Sequence, residues 1–154
     1  MPEITVADSD SDSGSEVRTG GCLCGKVRFT VTGPVDDPHI CACTHCSTRS
    51  GAPFQWWVGF PMDGLKWTGT DPNWFDNHPG KTARGFCGTC GSHLAARDHG
   101  NDMAIGILAT ALDHHTTDPA LAPTNLNRLA EAAPWLTATG CPGSAAASTA
   151  DPSQ

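Results

Sequence analysis

Seven of the eight cysteines fall in three tight groups: Cys22-Leu23-Cys24, Cys41-Ala42-Cys43-Thr44-His45-Cys46 and Cys87-Gly88-Thr89-Cys90. The eighth, Cys141, stands alone near the C-terminal end and is expected to be a free thiol. Thiols one or two residues apart rarely reach one another in an unstrained disulfide. The N-terminus lacks the basic and then apolar order of an export signal, so a reducing, cytoplasmic setting is expected, where thiols persist. Metal ligation is the use that suits such spacing.

The groups differ in what they can do. Cys87-Gly88-Thr89-Cys90-Gly91 has the two-residue spacing of a zinc knuckle, a turn that aims two thiolates at one ion. Cys22-Leu23-Cys24-Gly25 is a shorter clip, and four thiolates from two clips would close a tetrahedron, leaving structure as the only role. The middle group offers Cys41, Cys43 and Cys46, which leaves the fourth corner to water, to His45 or to a substrate. Three thiolates over-neutralise a dication and make it a poor generator of hydroxide. A zinc of this kind suits a thiol better, holding it as a thiolate ready to attack an electrophilic carbon. Two zinc ions per chain are therefore expected. His39, His78, His93, His99, His114 and His115 have no spacing that improves on the cysteines.

The elements that must position these groups are mostly strands. Lys26 to Thr32 alternates, with Val27, Phe29 and Val31 on one face, and Gly33-Pro34 ends it. Shorter candidates follow at Phe54 to Val58, Leu65 to Thr68 and Thr82 to Phe86. Met103 to Leu112 is apolar throughout and leans toward strand. Asn125 to Ala133 is rich enough in Ala, Leu and Glu for a short helix, stopped by Pro134. The expectation is a mainly β, small single domain of short antiparallel strands over 20–140. A disordered acidic tail is expected over 1–19 and a flexible one over 141–154.

The formal charge of −7 is concentrated in those ends, where Glu3, Asp8, Asp10, Asp12, Glu16 and Asp151 face only Arg18; the remainder carries −2. Without a basic stripe, nucleic acid is not an expected partner. The longest apolar run is about half of what a bilayer crossing needs, so no membrane span is expected.

Taken together, three stretches resemble the glutathione-dependent formaldehyde-activating enzyme family, also called the Gfa or centromere-protein-V domain family. They are Gly21 to Phe29, Cys41 to Cys46 running into Arg49-Ser50-Gly51-Ala52-Pro53-Phe54, and Arg84 to Leu94. The likeness spans about Gly20 to Trp135. It implies an Mss4-like zinc fold, a structural zinc at Cys22, Cys24, Cys87 and Cys90, and a reactive zinc at Cys41, Cys43 and Cys46. It also implies a carbon–sulfur lyase activity, the condensation of glutathione with formaldehyde to S-hydroxymethylglutathione. The family commonly has His where this chain has Ala42, and another near the C-terminal strand where Asn125 falls.

Substrate-pocket candidates are Trp56, Trp57 and Arg49, the last because a guanidinium offers a carboxylate a two-pronged fork, with an ordinary surface ion pair as its alternative. Two other functions stay open at this point: a zinc-stabilised binding module without turnover, and a zinc lyase of specialised metabolism acting on another small molecule.

Overall fold

The computed structural model describes residues 16–138. The strands are β1 (Val17–Gly21), β2 (Arg28–Thr32), β3 (Asp36–Cys41), β4 (Gln55–Pro61), β5 (Leu65–Trp67), β6 (Asn73–His78), β7 (Thr82–Phe86), β8 (His93–Asp98), β9 (Ala104–Leu108) and β10 (Asn125–Asn127). Two short helices accompany them, α1 (Thr44–Ser50) after β3 and α2 (Pro134–Ala138) at the end. A three-stranded sheet runs β1-β2-β5 and a seven-stranded sheet runs β10-β3-β4-β9-β8-β7-β6. Every pairing is antiparallel except β10 with β3. The mainly β, antiparallel, single-domain expectation is met.

The core lies between the sheets. Val27, Phe29 and Val31, one alternating face of the β2 region, pack with Val58 and Phe60 of β4, Leu94 and Ala95 of β8, and Ile105 and Ile107 of β9. Met103 to Leu112 resolves into β9 followed by a tight 3₁₀ turn over Ala109–Ala111. Its apolarity follows from position, because β9 lies between β4 and β8 with Ile105 and Ile107 buried in the core, while the small Ala104 and Gly106 lie half-buried on its other face.

Two expectations are corrected. The sequence predicts a disordered N-terminal tail through residue 19, yet Val17–Gly21 is a strand with Arg18 turned inward, 9% exposed. Arg18 Nε donates to Asp118 Oδ2 at 2.7 Å and its Nη2 lies 2.6 Å from Glu16 Oε2, so the charge is buried with partners. Gly20 follows it inward. A Cβ there would stand 2.4 Å from both the Ala111 carbonyl oxygen and the Phe29 ring, so only glycine fits.

The second correction concerns Asn125 to Ala133, expected as a helix ended by Pro134. Asn125–Asn127 instead adds a parallel edge strand to β3, Leu129–Glu131 makes a single 3₁₀ turn, and Pro134 opens α2. Helix propensity gave way to the unpaired edge of β3. Proline at a first helical position lacks only a donor that would have had no partner there. The remainder of both expected tails, with Cys141, lies outside the described residues. Among the described residues no helix is long and apolar enough to cross a membrane.

Candidate metal centre and the pocket beside it

Cys22 and Cys24 sit in the turn joining β1 to β2, and Cys87 and Cys90 in the turn joining β7 to β8. Each turn is closed by backbone bonds: Cys22 N–H donates to Val27 O and Gly25 N–H to Cys22 O, while Gly91 N–H donates to Cys87 O and Cys87 N–H to Ser92 O, all at 2.9–3.0 Å. Leu23 N–H reaches across to Ser92 Oγ at 3.0 Å, tying one turn to the other. The four sulfurs lie within 4.8 Å of one another. Cys22 Sγ is 3.5 Å from Cys24 Sγ, and Cys24 Sγ is 3.8 Å from Cys87 Sγ. Sulfurs at the corners of a tetrahedron around zinc, with Zn–S near 2.3 Å, stand about 3.8 Å apart. The group fits such an ion.

Donors already face these sulfurs, as thiolate ligands require. Val27 N–H points at Cys22 Sγ at 3.3 Å, Thr89 N–H at Cys87 Sγ at 3.4 Å, and the Ser92 hydroxyl lies 3.2 Å from Cys90 Sγ. The Ser92 hydroxyl and N–H bring the Cys90 thiol down to about 5. Because the two turns belong to different sheets, an ion here joins the three-stranded sheet to the seven-stranded one.

The second group is built locally. Cys41 ends β3, opposite Gln55 of β4 and Asn127 of β10. Cys43 is the N-cap of α1, its sulfur accepting Cys46 N–H at 3.4 Å, and Cys46 lies buried in the first turn. These three sulfurs also lie within 4.8 Å of one another. Cys41 is drawn down to about 5 chiefly by its contact with the Cys46 thiol, while Cys46 is pushed up by that same contact and by burial.

A clamp from the C-terminal segment holds the helix start. Ala42 N–H donates to Asn127 O at 3.0 Å, and Thr44 N–H and Oγ1 donate to Glu131 Oε2 at 3.0 and 3.2 Å. Glu131 is itself held by Arg128. No histidine, aspartate or glutamate among the described residues joins either sulfur group. His45, the sequence candidate for a fourth ligand, stacks on His78 at 4.1 Å and meets the Asn77 amide at 3.1 Å.

The three-cysteine group borders a pocket of about 420 Å³, whose walls include Cys41, Cys43, Cys46, His39, Trp57 and Arg84. Its floor is the face of the large sheet turned away from the core. A larger cleft of about 820 Å³ lies elsewhere, beside the four-cysteine turns, and contains none of the three cysteines. Size alone would select it; the three convergent thiols select the smaller one.

The sequence-based pocket residues separate accordingly. Trp57 lines the three-cysteine pocket. Trp56, one residue along the strand and therefore on the opposite face, donates its indole N–H to Leu121 O at 2.8 Å and lines the larger cleft. Arg49 lies over the Phe86 ring, 5.5 Å from its centre, and lines neither. Burial, and then the charge of Arg84, lower its pKa. Arg84 and His39 were missed as pocket residues; alternation in Thr82 to Phe86 does place Arg84 away from the core, but not beside β3.

Fold and site together define a small β-sandwich protein with a sheet-joining group of four thiols and a pocket-lining group of three. The chain belongs to the family described as "Glutathione-dependent formaldehyde-activating enzyme", which matches residues 17–127. The crystal structure of a Rhodobacter sphaeroides protein is similar in fold, with a TM-score of 0.55 and 19% identity over 71% of this chain and 99% of that one. No curated protein matches the chain.

Proposed function

We propose that this protein is a zinc-dependent enzyme of carbon–sulfur chemistry that adds a small, glutathione-like thiol to formaldehyde or a related electrophile. In this reading Cys22, Cys24, Cys87 and Cys90 hold a structural zinc, and Cys41, Cys43 and Cys46 hold a reactive one. The observation that carries it is that Cys41, Cys43 and Cys46 converge on the wall of a pocket and, among the described residues, no fourth protein ligand completes their tetrahedron. Zinc held there would supply one free position, at which a thiol is bound as its thiolate at neutral pH.

The chain's own residues do the rest. Trp57 forms a wall of the pocket beside the sulfur group, its indole seated over Gly106, whose lack of a side chain makes room for it. The Glu131 clamp fixes the direction in which Cys43 and Cys46 leave α1. In the net reaction a C–S bond forms, the C=O π bond breaks, and the thiol proton ends on the carbonyl oxygen. No oxidant or reductant enters. A reducing cytoplasm would keep all seven thiols available.

Exchange of S-hydroxymethyl adducts with glutathione and other small thiols, followed by NMR, tests the reading. Wild-type protein should speed exchange over a Cys43→Ser control. If no thiol is accelerated and calorimetry detects no thiol binding, a zinc-stabilised binding module without turnover replaces it.

A further inference from the structure

The floor of the three-cysteine pocket is a cross-strand row whose composition is unusual. Asp36 of β3 pairs with Gly59 of β4, Gly59 with Gly106 of β9, Gly106 with Ala96 of β8, and Ala96 with Arg84 of β7. Directly paired residues share a face, so the row reads carboxylate, no side chain, no side chain, methyl, guanidinium. Arg84 nevertheless places its guanidinium carbon 5.3 Å from the centre of the Trp57 ring, and Trp57 belongs to β4. Three strand spacings, about 14 Å, separate the β7 and β4 backbones. The arginine and the indole, which leans over Gly106 of β9, therefore reach toward each other across the sheet.

Small residues make that possible. A Cβ on Gly106 would stand 3.5 Å from Trp57 Cε3 and 3.6 Å from the Ala96 methyl, so the indole lies over Gly106 and a longer side chain there would displace it from its stack with Arg84. The guanidinium is half-buried and stacked, and no carboxylate of the described residues pairs with it. Arg49 is likewise stacked on a ring without a carboxylate, and burial and then the nearby charge of Arg84 lower its pKa. Arg84, a pocket-wall guanidinium stacked on the indole beside Cys46 and without an anion, leaves its in-plane N–H groups for a ligand, with Arg49 as a second positive charge behind it.

We propose that Arg84, backed by Arg49, is the specificity-determining residue of this pocket and takes the carboxylate of the substrate thiol. The thiols acted on are then acids rather than neutral or cationic thiols. This rests on the thiol reading above for the sulfur end of the ligand, whereas the anion end stands on the row, the stack and the missing counter-charge.

The test compares 3-mercaptopropionate with 3-mercaptopropanol, nearly equal in size, on the zinc-loaded full chain by calorimetry. Charge-assisted hydrogen bonds to a guanidinium predict that the acid binds about tenfold to a hundredfold tighter. Arg84→Gln should bring that ratio close to one, and Arg84→Lys should restore part of it. A ratio near one in wild type, or an equal loss for both thiols in Arg84→Gln, overturns the proposal while leaving the thiol reading standing. If neither thiol binds, the thiol reading fails, and thiol-free propionate decides the anion site. Propionate should shift the Trp57 indole N–H resonance in wild type and not in Arg84→Gln; no shift in wild type overturns the proposal.

Discussion

The two sulfur groups use the same side chain for opposite architectural ends. The four-cysteine group draws its members from turns more than 60 residues apart and from different sheets, so closing it fixes the global packing. The three-cysteine group is contained in six residues where β3 passes into α1, and its neighbours make a pocket rather than a joint. On the proposed reading, long-range thiols hold the fold together and local thiols leave a ligand position free.

The sharpest way to break that contrast is substitution. Cys22→Ser or Cys87→Ser should cost most of the folding free energy, because structural zinc contributes about 10–16 kcal/mol against a typical domain stability of about 5–15 kcal/mol. Cys43→Ser should leave the thermal transition largely in place. Circular dichroism melts of the three variants measure this, and equal loss in all three would mean that both groups are joints. Metal removal should show the same asymmetry at lower amplitude. With two zinc ions loaded, a mild chelator followed by elemental analysis should withdraw one well before the other, and Cys43→Ser should abolish the faster phase.

Finer tests address what lies around each group. Glu131→Gln removes the charge that caps the first turn of α1, so amide exchange over Thr44 to Ser47 should quicken several-fold while the amides of Cys87 and Gly91 keep their protection. Uniform quickening would show that the local group is not local in its energetics.

The smallest effect is expected at Asp113, which ties β2 and β1 through Arg28 and Thr19 close to the four-cysteine turns. Arg28 holds its carboxyl at about 2, below the ordinary 3.8. A depressed folded-state pKa means that the unfolded chain binds the proton more readily. The contribution is thus complete above about pH 5 and fades as the pH falls toward 2. With the two side chains 39% and 34% exposed, it should be below about 1 kcal/mol. Denaturant melts of Asp113→Asn should differ from wild type near neutrality and converge with it near pH 2.

Spacing made the sulfur groups legible in the sequence, because a thiolate tetrahedron admits few arrangements of neighbouring cysteines. Alternation made the inner face of β2 legible for the same kind of reason. What escaped was decided between distant residues. Arg18 reads as tail charge until Asp118, a hundred residues on, is seen to neutralise it. Asn125 to Asn127 reads as helix until the open edge of β3 captures it. Arg84 lies in a stretch expected to be a strand, yet its role depends on Ala96 and Gly106 being small on two other strands, a relation that pairwise register creates and local pattern does not contain.

The parallel pairing of β10 carries a consequence for the order in which the molecule is made. A parallel neighbour cannot arrive through a hairpin, and β10 reaches β3 only after more than 80 intervening residues have been laid down. During synthesis at about 5–20 residues per second, Cys90 leaves the ribosome a few seconds before Asn127 and Glu131 do. The sheet-joining thiols are thus complete while the start of α1 still lacks its clamp. A nascent chain therefore brings its sheet-joining thiols together before the three-cysteine pocket has taken shape, so that a segment made about 40 residues later finishes the site.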